Sequence, residues 1–435
     1  ALPFALTGAQ ERAIAEISAD LERPERMLRL LQGDVGSGKT VVALLAAAQA
    51  AETGAQTAFL APTEILARQH HATIEPVARA AGFAVALLTG REKGRERARI
   101  VDGMADGSIR LVVGTHALFQ EGVAFADLGL AVIDEQHRFG VHQRLAMTAK
   151  GEATDLLVMT ATPIPRTLVL TAFGDMDVSR LDEKPPGRAP VRTVTLPAER
   201  LGELVSRIRS AVERAEKAFW ICPLVEDSTS LDPGVVSAES RSETLGRELP
   251  GRVWLVHGRM SGAEKDRAME EFRHAAAGVL VATTVVEVGV DVPDAAIMVI
   301  ENAERFGLAQ LHQLRGRVGR GDRPGTCVLL YHGELGETAH RRLETLRETN
   351  DGFVIAEEDL KLRGEGELLG VRQSGVPGFS IARVEHHGDL LAASRADARA
   401  LMDSDPVLQG PRGQAVRLLL YLFGRDDAIR LLSAG

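Results

Sequence analysis

A glycine-rich turn near the start of the chain constrains the fold more than any other feature of the sequence. It matches the pattern G-x-x-x-x-G-K-[ST] with Gly33, Asp34, Val35, Gly36, Ser37, Gly38, Lys39 and Thr40. Glycines let backbone N–H groups curl around phosphates at the N-terminus of a helix, which already favours anions. Because an apolar helical pattern follows, the turn predicts a phosphate-binding loop between a buried strand and a helix.

A polar run, Asp-Glu-Gln-His at 134–137, follows an apolar strand further along the chain. Lys39 is expected to place a positive charge against the β- and γ-phosphates, and Thr40 to offer its hydroxyl to Mg²⁺. Asp134 is expected to hold the same ion, while Glu135 orients the attacking water. The two motifs together predict a site that hydrolyses ATP with Mg²⁺, rather than a simple nucleotide pocket.

Length and composition limit the kinds of protein that this chain can be. At 435 residues it exceeds the size of a single hydrophobic core, so two large domains and an appendage are expected. The longest apolar run, at 41–51, is shorter than the ~20 residues that span a bilayer, and no signal peptide is visible. Cys222 and Cys327 have no C-x-x-C partners. We therefore expect a soluble cytoplasmic protein without disulfide, zinc or membrane contact.

The net charge of −9 argues mildly against binding to nucleic acid, since phosphate contacts need Lys and Arg. A summed charge does not locate basic tracks, however, so a motor that slides along a backbone remains compatible with it. Aromatic residues make up 4% of the chain, which leaves little material for an extended platform that stacks single-stranded bases.

Alternating apolar runs and helical patterns predict two α/β sheets. Strands are predicted at 28–31, 57–61, 85–88, 111–113, 130–133 and 156–159, and after a proline-rich break at 182–190, at 191–196, 218–222, 253–256, 279–282, 296–300 and 327–331. Buried strands separated by helices imply parallel sheets covered on both faces. Helical stretches are predicted near 389–402 and 414–432. The predicted domains are 1–184, 185–350 and a C-terminal segment at 351–435.

A run of arginines in the second predicted domain completes the hydrolysis site. Residues 313–320 read Gln-Leu-Arg-Gly-Arg-Val-Gly-Arg, which places Arg317 and Arg320 three residues apart on what we expect to be one helical face. Arginines from a neighbouring domain stabilise the charge that spreads over the γ-phosphate during transfer. ATP is then expected between the domains, so that binding closes the cleft and hydrolysis opens it. A glycine-rich turn alone would support only nucleotide binding.

The series of motifs resembles the superfamily 2 helicases and, more closely, the bacterial RecG family of branch-migration helicases. This resemblance spans nearly the whole chain and implies two tandem RecA-like domains of the α/β class, followed by a small helical translocation segment. It rests on the runs at 33–40, 62–66, 114–118, 134–140, 160–167, 256–260 and 282–291, together with 313–320.

The resemblance adds expected nucleotide contacts. Phe4 and Gln10 would frame the adenine, with Gln10 reading its edge and so favouring ATP over GTP. Asp291 would approach the ribose or the arginines, and Gln313 would meet His137 across the cleft. Without the family, Phe4 would be read as a residue at a helix start and Gln10 as an ordinary exposed glutamine.

The resemblance also implies residues that touch the nucleic-acid backbone or couple it to the nucleotide. Hydroxyls and backbone amides at such positions hold a strand without reading its sequence. The backbone contacts would be Thr63, Thr115, Arg259 and Thr284, and the coupling residues Thr160 and Thr162. Each alone is also compatible with a cap or a turn.

The segment at 359–375 resembles a translocation motif shared by RecG and the transcription-repair coupling factor. There a helical hairpin and loop turn cleft closure into a pull on duplex DNA, and we expect Arg363 and Gln373 to act here. The alternative is a flexible charged connector. RecG proteins also carry an N-terminal wedge domain that grips branched junctions, whereas this sequence begins with Ala1 almost at the first motif. We therefore expect a fragment or a wedge-less form.

The predicted function is an ATP-dependent translocase of double-stranded DNA that branch-migrates Holliday junctions and regresses stalled forks. The expected partner is branched or duplex DNA, with single-stranded DNA-binding protein as a further partner, and a monomer is expected. The alternatives are a translocase that displaces stalled RNA polymerase and a non-catalytic DNA clamp. Ser37 after Gly36, and Gln136 in place of a second Glu, favour RecG over the coupling factor.

Overall fold

We obtained a computed structural model of the chain. It describes residues 2, 4–120, 122–135, 154–161, 176–185, 190–223, 237–283, 292, 294–319, 324–363 and 388–423. Both sheets described below belong to one compact unit, and the residues from 363 onward belong to another. The domain boundaries expected at 184 and 350 remain predictions.

The first sheet has seven parallel strands in the order β3-β4-β2-β5-β6-β1-β7. The strands are β1 Leu28–Gly33, β2 Gln56–Leu60, β3 Val85–Leu88, β4 Leu111–Gly114, β5 Leu128–Ile133, β6 Asp155–Thr160 and β7 Asp177–Leu181. The helices are α1 Gly8–Leu21, α2 Lys39–Glu52, α3 Glu64–Ala80 and α4 Gly94–Ala105. Six of these strands were predicted. The seventh, β7, was missed because an edge strand that pairs only with β1 carries polar residues instead of an apolar run.

The second sheet has six parallel strands in the order β10-β11-β9-β12-β13-β8. The strands are β8 Arg192–Pro197, β9 Lys217–Ile221, β10 Val253–Val256, β11 Gly278–Ala282, β12 Ala295–Glu301 and β13 Thr326–Tyr331. The helices are α5 Leu201–Glu213, α6 Ala238–Glu248, α7 Gly262–His274, α8 Leu308–Arg315, α9 Glu337–Glu348 and α10 Gly352–Arg363. The prediction of two parallel α/β sheets is thus confirmed.

Strand residues alternate between the two faces of each sheet, as the period of two requires. In β9, Phe219 and Ile221 pack with α7, α8 and α9, whereas Trp220 faces α5 and α6 on the other side. In the first sheet, Phe59 and Met159 pack against α1, α2 and α3. Both faces are apolar because helices cover each of them, which is why the strands read as continuous apolar runs in the sequence.

The C-terminal unit contributes two further described helices, α11 Gly388–Ser404 and α12 Pro411–Leu422. The helix predicted at 389–402 is confirmed. The one predicted at 414–432 is confirmed up to Leu422, where the helix ends with Phe423 as its C-cap, and residues 424–432 lie outside the described residues. Among the residues that the structure describes, every helix is too short or too polar to cross a membrane.

A buried ion pair fastens α6 to the second sheet. Glu301 at the end of β12 is fully buried and accepts hydrogen bonds from Trp220 Nε1 at 2.7 Å and Arg241 Nε at 2.9 Å. The Arg241 guanidinium also contacts the second oxygen of Glu301 and lies 5.5 Å from the centre of the Trp220 ring. A carboxylate in this place is stable only while the guanidinium neutralises it.

Replacing Arg241 by Met should lower the free energy of unfolding by about 3 to 5 kcal/mol, because the carboxylate of Glu301 would remain buried without its cation. Denaturant unfolding measures the loss. Arg247→Met on the exposed side of the same helix is the matched control and should change little. The double variant Arg241→Met with Glu301→Leu should recover most of the stability; equal losses in the single and double variants would show that the ion pair has no such role.

Candidate nucleotide site

The functional residues predicted in the first domain gather at one edge of its sheet. Because all seven strands are parallel, their carboxyl ends meet there, which is where α/β sheets bind ligands. The residues that follow or end β1, β2, β4, β5 and β6 at this edge include Asp34, Thr63, Thr115, Asp134 and Thr160. The fold therefore brings together motifs that lie far apart in the sequence.

The phosphate loop has the backbone that its glycines predict. Gly36 and Gly38 adopt positive φ angles of 78° and 85°, and α2 begins directly after Gly38. The ammonium of Lys39 is buried and donates hydrogen bonds to the carbonyl oxygens of Gly33 at 2.7 Å and Asp34 at 3.0 Å. The loop thus holds its own cation at the N-terminus of a helix, where a phosphate group would be attracted.

The buried side chain of Gln10 is hydrogen-bonded to the backbone of the phosphate loop. Its side-chain N–H donates to the carbonyl of Ser37 at 2.9 Å, and its oxygen accepts from the backbone N–H of Thr7 at 2.9 Å. Gln10 is 3% exposed, so the interpretation of this residue as an ordinary exposed glutamine is wrong. Phe4, by contrast, is 54% exposed. Contact of these two residues with adenine stays a prediction.

Asp134 follows β5 with its carboxylate in a buried setting next to His70. His70 Nε2 lies 2.7 Å from Asp134 Oδ2. Burial opposes the charged form of Asp134, but the hydrogen bond and charge of His70 and the charge of Lys39 outweigh it and lower its pKa. The influence of Lys39 on this carboxylate links the two predicted motifs. His70 was missed by sequence reasoning, since a lone histidine in an amphipathic helix gives no signal.

Glu135 has a backbone conformation that is unusual for its residue type. Its φ angle is 52°, in the left-handed region, and its N–H donates to Asp134 Oδ1 at 3.1 Å. Such strained residues persist where the surroundings hold them, which is frequent at functional sites. The turn sets the direction in which Glu135 leaves the strand.

The oxygen donors at this edge suit a magnesium ion. Mg²⁺ takes a hydroxyl, one or two carboxylates, waters and substrate phosphates rather than a cage built only from protein. Thr40 in the first turn of α2 and Asp134 supply that kind of donor set. Among the residues that the structure describes, no group of three or more His, Cys, Asp or Glu side chains forms a cage for a metal. Mg²⁺ bound by Thr40 and Asp134 stays a prediction.

The expectation that Arg317 and Arg320 share a helical face is wrong. Helix α8 ends at Arg315, and Arg317 lies in the turn that follows it, with its N–H bonded to the carbonyl of Leu314 at 3.0 Å. Gly319 then takes a φ angle of 69°, which turns the chain away from a helical path. Gln313 is half-buried on α8, whereas Arg320 lies outside the described residues.

The turn that carries Arg317 begins at a point of close contact with the phosphate loop. A Cβ atom added to Gly316 would lie 2.8 Å from Cβ of Val35, closer than real side chains approach, so only glycine fits. Asp34 and Val35 of the loop therefore pack directly against the end of α8. Val35 of the phosphate loop and Gly316 of the turn line the same cavity.

A buried hydrogen-bond relay reinforces this contact. His312 Nε2 lies 2.6 Å from Asp34 Oδ1, and Arg315 donates to His312 Nδ1 at 2.9 Å. Arginine can only donate, so Nδ1 is the acceptor and the proton sits on Nε2, which donates to Asp34. Arg315 also donates to the carbonyls of Leu346 at 2.6 Å and Thr349 at 2.8 Å. The relay ties the phosphate loop to the end of α9.

Asp34 stays ionised through these partners. Burial opposes its charge, but the hydrogen bonds from His312 and from the N–H of Val35, together with the charge of Lys184 at 3.3 Å, outweigh burial and hold its pKa well below the usual range. Lys184 also donates to the carbonyl of Asn350 at 3.1 Å. The sequence predicted Asp34 only as a residue of the phosphate loop. It did not predict that the Asp34 carboxylate accepts a hydrogen bond from His312 of the second domain.

The residues predicted to touch or couple to DNA occupy varied settings. Thr63 caps α3, its hydroxyl accepting from the N–H of Leu66 at 3.4 Å, and Thr115 and Thr160 are buried. The Arg259 guanidinium is exposed and pairs with Glu239 at 2.7 Å. Arg363 ends α10. The predicted residues Thr162, Thr284, Asp291 and Gln373, like His137, lie outside the described residues.

Asp34→Asn should lower the free energy of unfolding at pH 7 by about 1 to 3 kcal/mol, because an ionised acceptor is replaced by a neutral one. The folded-state pKa of Asp34 is lowered, so its contribution is present above its ordinary value of 3.8 and is lost as the pH falls. The difference in the free energy of unfolding between wild type and variant, measured by denaturant unfolding, should therefore become smaller below pH 4. Asp182→Asn, at an exposed ion pair, is the control. A difference in the free energy of unfolding that stays constant with pH would contradict the prediction.

Three family models match the chain in sequence order. They are described as DEAD/DEAH box helicase over residues 7–170, helicase conserved C-terminal domain over 201–322, and ATP-dependent DNA helicase RecG, domain 3, C-terminal, over 349–420. The first covers the phosphate loop and Asp134, and the second covers Arg317. The fold and these motifs define a helicase core of two RecA-like domains.

Curated relatives narrow the class further. The ATP-dependent DNA helicase RecG of Acidithiobacillus ferridurans is 52% identical over 406 residues, which cover 93% of this chain and 59% of that protein. The RecG of Escherichia coli K12 is 52% identical over 388 residues, or 88% of this chain and 56% of that protein. By sequence, the chain is a homologue of the RecG helicases. It spans about three fifths of the length of these relatives.

Solved structures agree with this placement. The structure of RecG bound to a three-way DNA junction matches with a TM-score of 0.74 and 47% identity, over 90% of this chain and 51% of that one. Mss116p bound to single-stranded RNA and AMP-PNP matches with a TM-score of 0.57 at 17% identity, over 79% of this chain and 76% of that one. The second match bears on the fold alone and supports the two RecA-like domains.

Proposed function

We propose that the chain is an ATP-dependent translocase and helicase of double-stranded DNA that branch-migrates Holliday junctions and regresses stalled replication forks. One observation carries the proposal: the phosphate loop packs against the turn that bears Arg317 through Val35 and Gly316, and Asp34 bonds to His312 beside it. Nucleotide and arginine can then meet in one gap between the sheets. The activity of the RecG relatives as ATP-dependent DNA helicases, and the binding of one RecG to a three-way DNA junction, support the choice of substrate.

In this proposal the residues act on the triphosphate from two sides. Lys39 exchanges its loop carbonyls for the β- and γ-phosphates, and the N–H groups of the loop hold the remaining oxygens. Glu135 orients the attacking water, while Arg317 and Arg320 stabilise the charge that develops on the γ-phosphate. Thr40 and Asp134 would hold Mg²⁺, which would supply further neutralisation of the phosphates.

Branch migration suits such a motor energetically. Base pairs broken ahead, at a mean of about 1.4 kcal/mol per step, are replaced by pairs formed behind. ATP hydrolysis then supplies mainly direction. We infer that the protein acts as a monomer in the cytoplasm on branched or duplex DNA, with single-stranded DNA-binding protein as a further partner, and that its domains meet near residues 184 and 350.

Lys39→Ala and Arg320→Ala should each abolish DNA-stimulated ATP hydrolysis and leave the thermal unfolding midpoint within a few degrees of wild type, because each removes a charge that acts on the triphosphate. A coupled steady-state ATPase assay measures the rate. Lys93→Ala, at an exposed lysine ahead of α4, is the matched control and should behave as wild type. Wild-type turnover in either site variant would contradict the assignment.

The same assay separates the proposed function from its alternatives when it is run with duplex, single-stranded and four-way DNA. Stronger stimulation by four-way or duplex DNA than by single strands is expected for a translocase of double-stranded DNA. A protein without turnover on any of the three would be a DNA clamp. Displacement of a stalled RNA polymerase without junction activity would favour the coupling-factor alternative.

Arg363→Ala should preserve ATP hydrolysis but lose translocation, because we propose that the segment beginning at the end of α10 converts cleft closure into movement. Displacement of a third strand from triplex DNA reports movement along a duplex, and unwinding of a four-way junction reports branch migration. Glu357→Ala, at an exposed residue of the same helix ahead of the motif at 359–375, is the control. Equal loss of hydrolysis and movement in Arg363→Ala would refute a coupling role.

A further inference from the structure

His70 makes a contact with the nucleotide site that no motif accounts for. It lies on α3, and its Nε2 atom is 2.7 Å from Asp134 Oδ2. Both side chains are largely buried, with 12% and 11% of their side-chain surfaces exposed. We propose that His70 is a positioning residue that orients the Asp134 carboxylate for ATP hydrolysis. The inference rests on the proposed function and adds a residue to that site.

The contacts of Asp134 leave its carboxylate little rotational freedom. Oδ2 meets His70, and Oδ1 accepts the N–H of Glu135 at 3.1 Å, so each oxygen has a fixed partner. A carboxylate has about four acceptor positions, and the two that remain can serve a metal ion or its water. Partners of this kind set the orientation of metal-binding carboxylates, and their loss typically costs about 10- to 100-fold in metal affinity or activity.

The imidazole of His70 is itself held in place. Its ring centre lies 4.7 Å from that of Phe59, a fully buried residue of β2, with an angle of 47° between the rings. The same helix buries Leu66 and Ile74 in the core of the first sheet. A ring fixed by an aromatic neighbour and by its own helix can hold the carboxylate without paying further rotamer entropy.

The start of α3 is connected to the second domain. Glu64, its first residue, accepts from Arg91 Nε at 2.8 Å, and the same guanidinium pairs with Asp266 on α7. His70 lies six residues further along α3, a distance of roughly 9 Å at 1.5 Å per residue. A displacement of α3 that follows a change in the domain contact would therefore reach Asp134 through the His70 imidazole.

Three variants of the whole chain test the proposal. His70→Leu should lower kcat for DNA-stimulated hydrolysis by about 10- to 100-fold and raise the Mg²⁺ concentration needed for half-maximal rate, while KM for ATP changes less than threefold. His70→Gln should recover most of the rate, since its amide can donate from a similar position. His71→Leu, at the neighbouring half-buried histidine, is the matched control and should keep wild-type kinetics.

A second measurement needs neither nucleotide nor turnover. His70→Leu, Asp134→Asn and the double variant are compared by thermal unfolding of the nucleotide-free protein. If the two side chains interact as proposed, the unfolding midpoint of the double variant falls by less than the sum of the two single shifts. Additive shifts would overturn the contact.

The outcomes distinguish a failure of the proposed function from a failure of the proposed role of His70. Absence of turnover in the wild type with all three DNA substrates overturns the proposed function. Wild-type turnover together with unchanged kcat and Mg²⁺ dependence in His70→Leu overturns the role of His70 alone. Failure of His70→Gln to recover activity where His70→Leu has lost it also overturns positioning by a donated hydrogen bond.

Discussion

The hydrogen bond between His312 and Asp34 is the contact on which the arrangement of the two sheets most depends. It joins the phosphate loop of one domain to a helix of the other through two largely buried side chains, where a bond to an ionised acceptor is strong and an unpaired carboxylate would be costly. Arg315 fixes the tautomer of the imidazole from behind. Movement of either domain therefore has to rearrange a buried charge at the place where a triphosphate is expected.

The parallel sheets explain why the remaining site residues converge. Each strand of the first sheet delivers its following turn to the same edge, so residues from motifs spread over more than a hundred positions meet around the loop. The order of the strands matters as well. Because β6 lies between β5 and β1, Asp134 and the phosphate loop are two strands apart.

Polar groups that are buried in this protein are positioned by other polar groups. Lys39 is held by loop carbonyls, Gln10 by Ser37 and Thr7, and Asp134 by His70 and Glu135. Such groups keep their orientation before any ligand arrives, and that reduces the cost of ordering the site when nucleotide binds. A buried polar group of the second sheet is likewise held by a polar partner, since Arg241 neutralises Glu301 outside the proposed nucleotide site.

The sequence by itself determined the two parallel sheets, most of their strands and the phosphate loop. Period-two and period-3.6 patterns and the glycine pattern are local signals. The roles of residues such as Gly38 and Lys39 can therefore be predicted from the sequence without a structure. The edge strand β7 escaped because its side chains are polar. The helical face expected for Arg317 was wrong because Gly316 and Gly319 end the helix. Only the tertiary structure decided that His70 meets Asp134 and that His312 meets Asp34, since such pairs depend on distances between elements that no local pattern encodes.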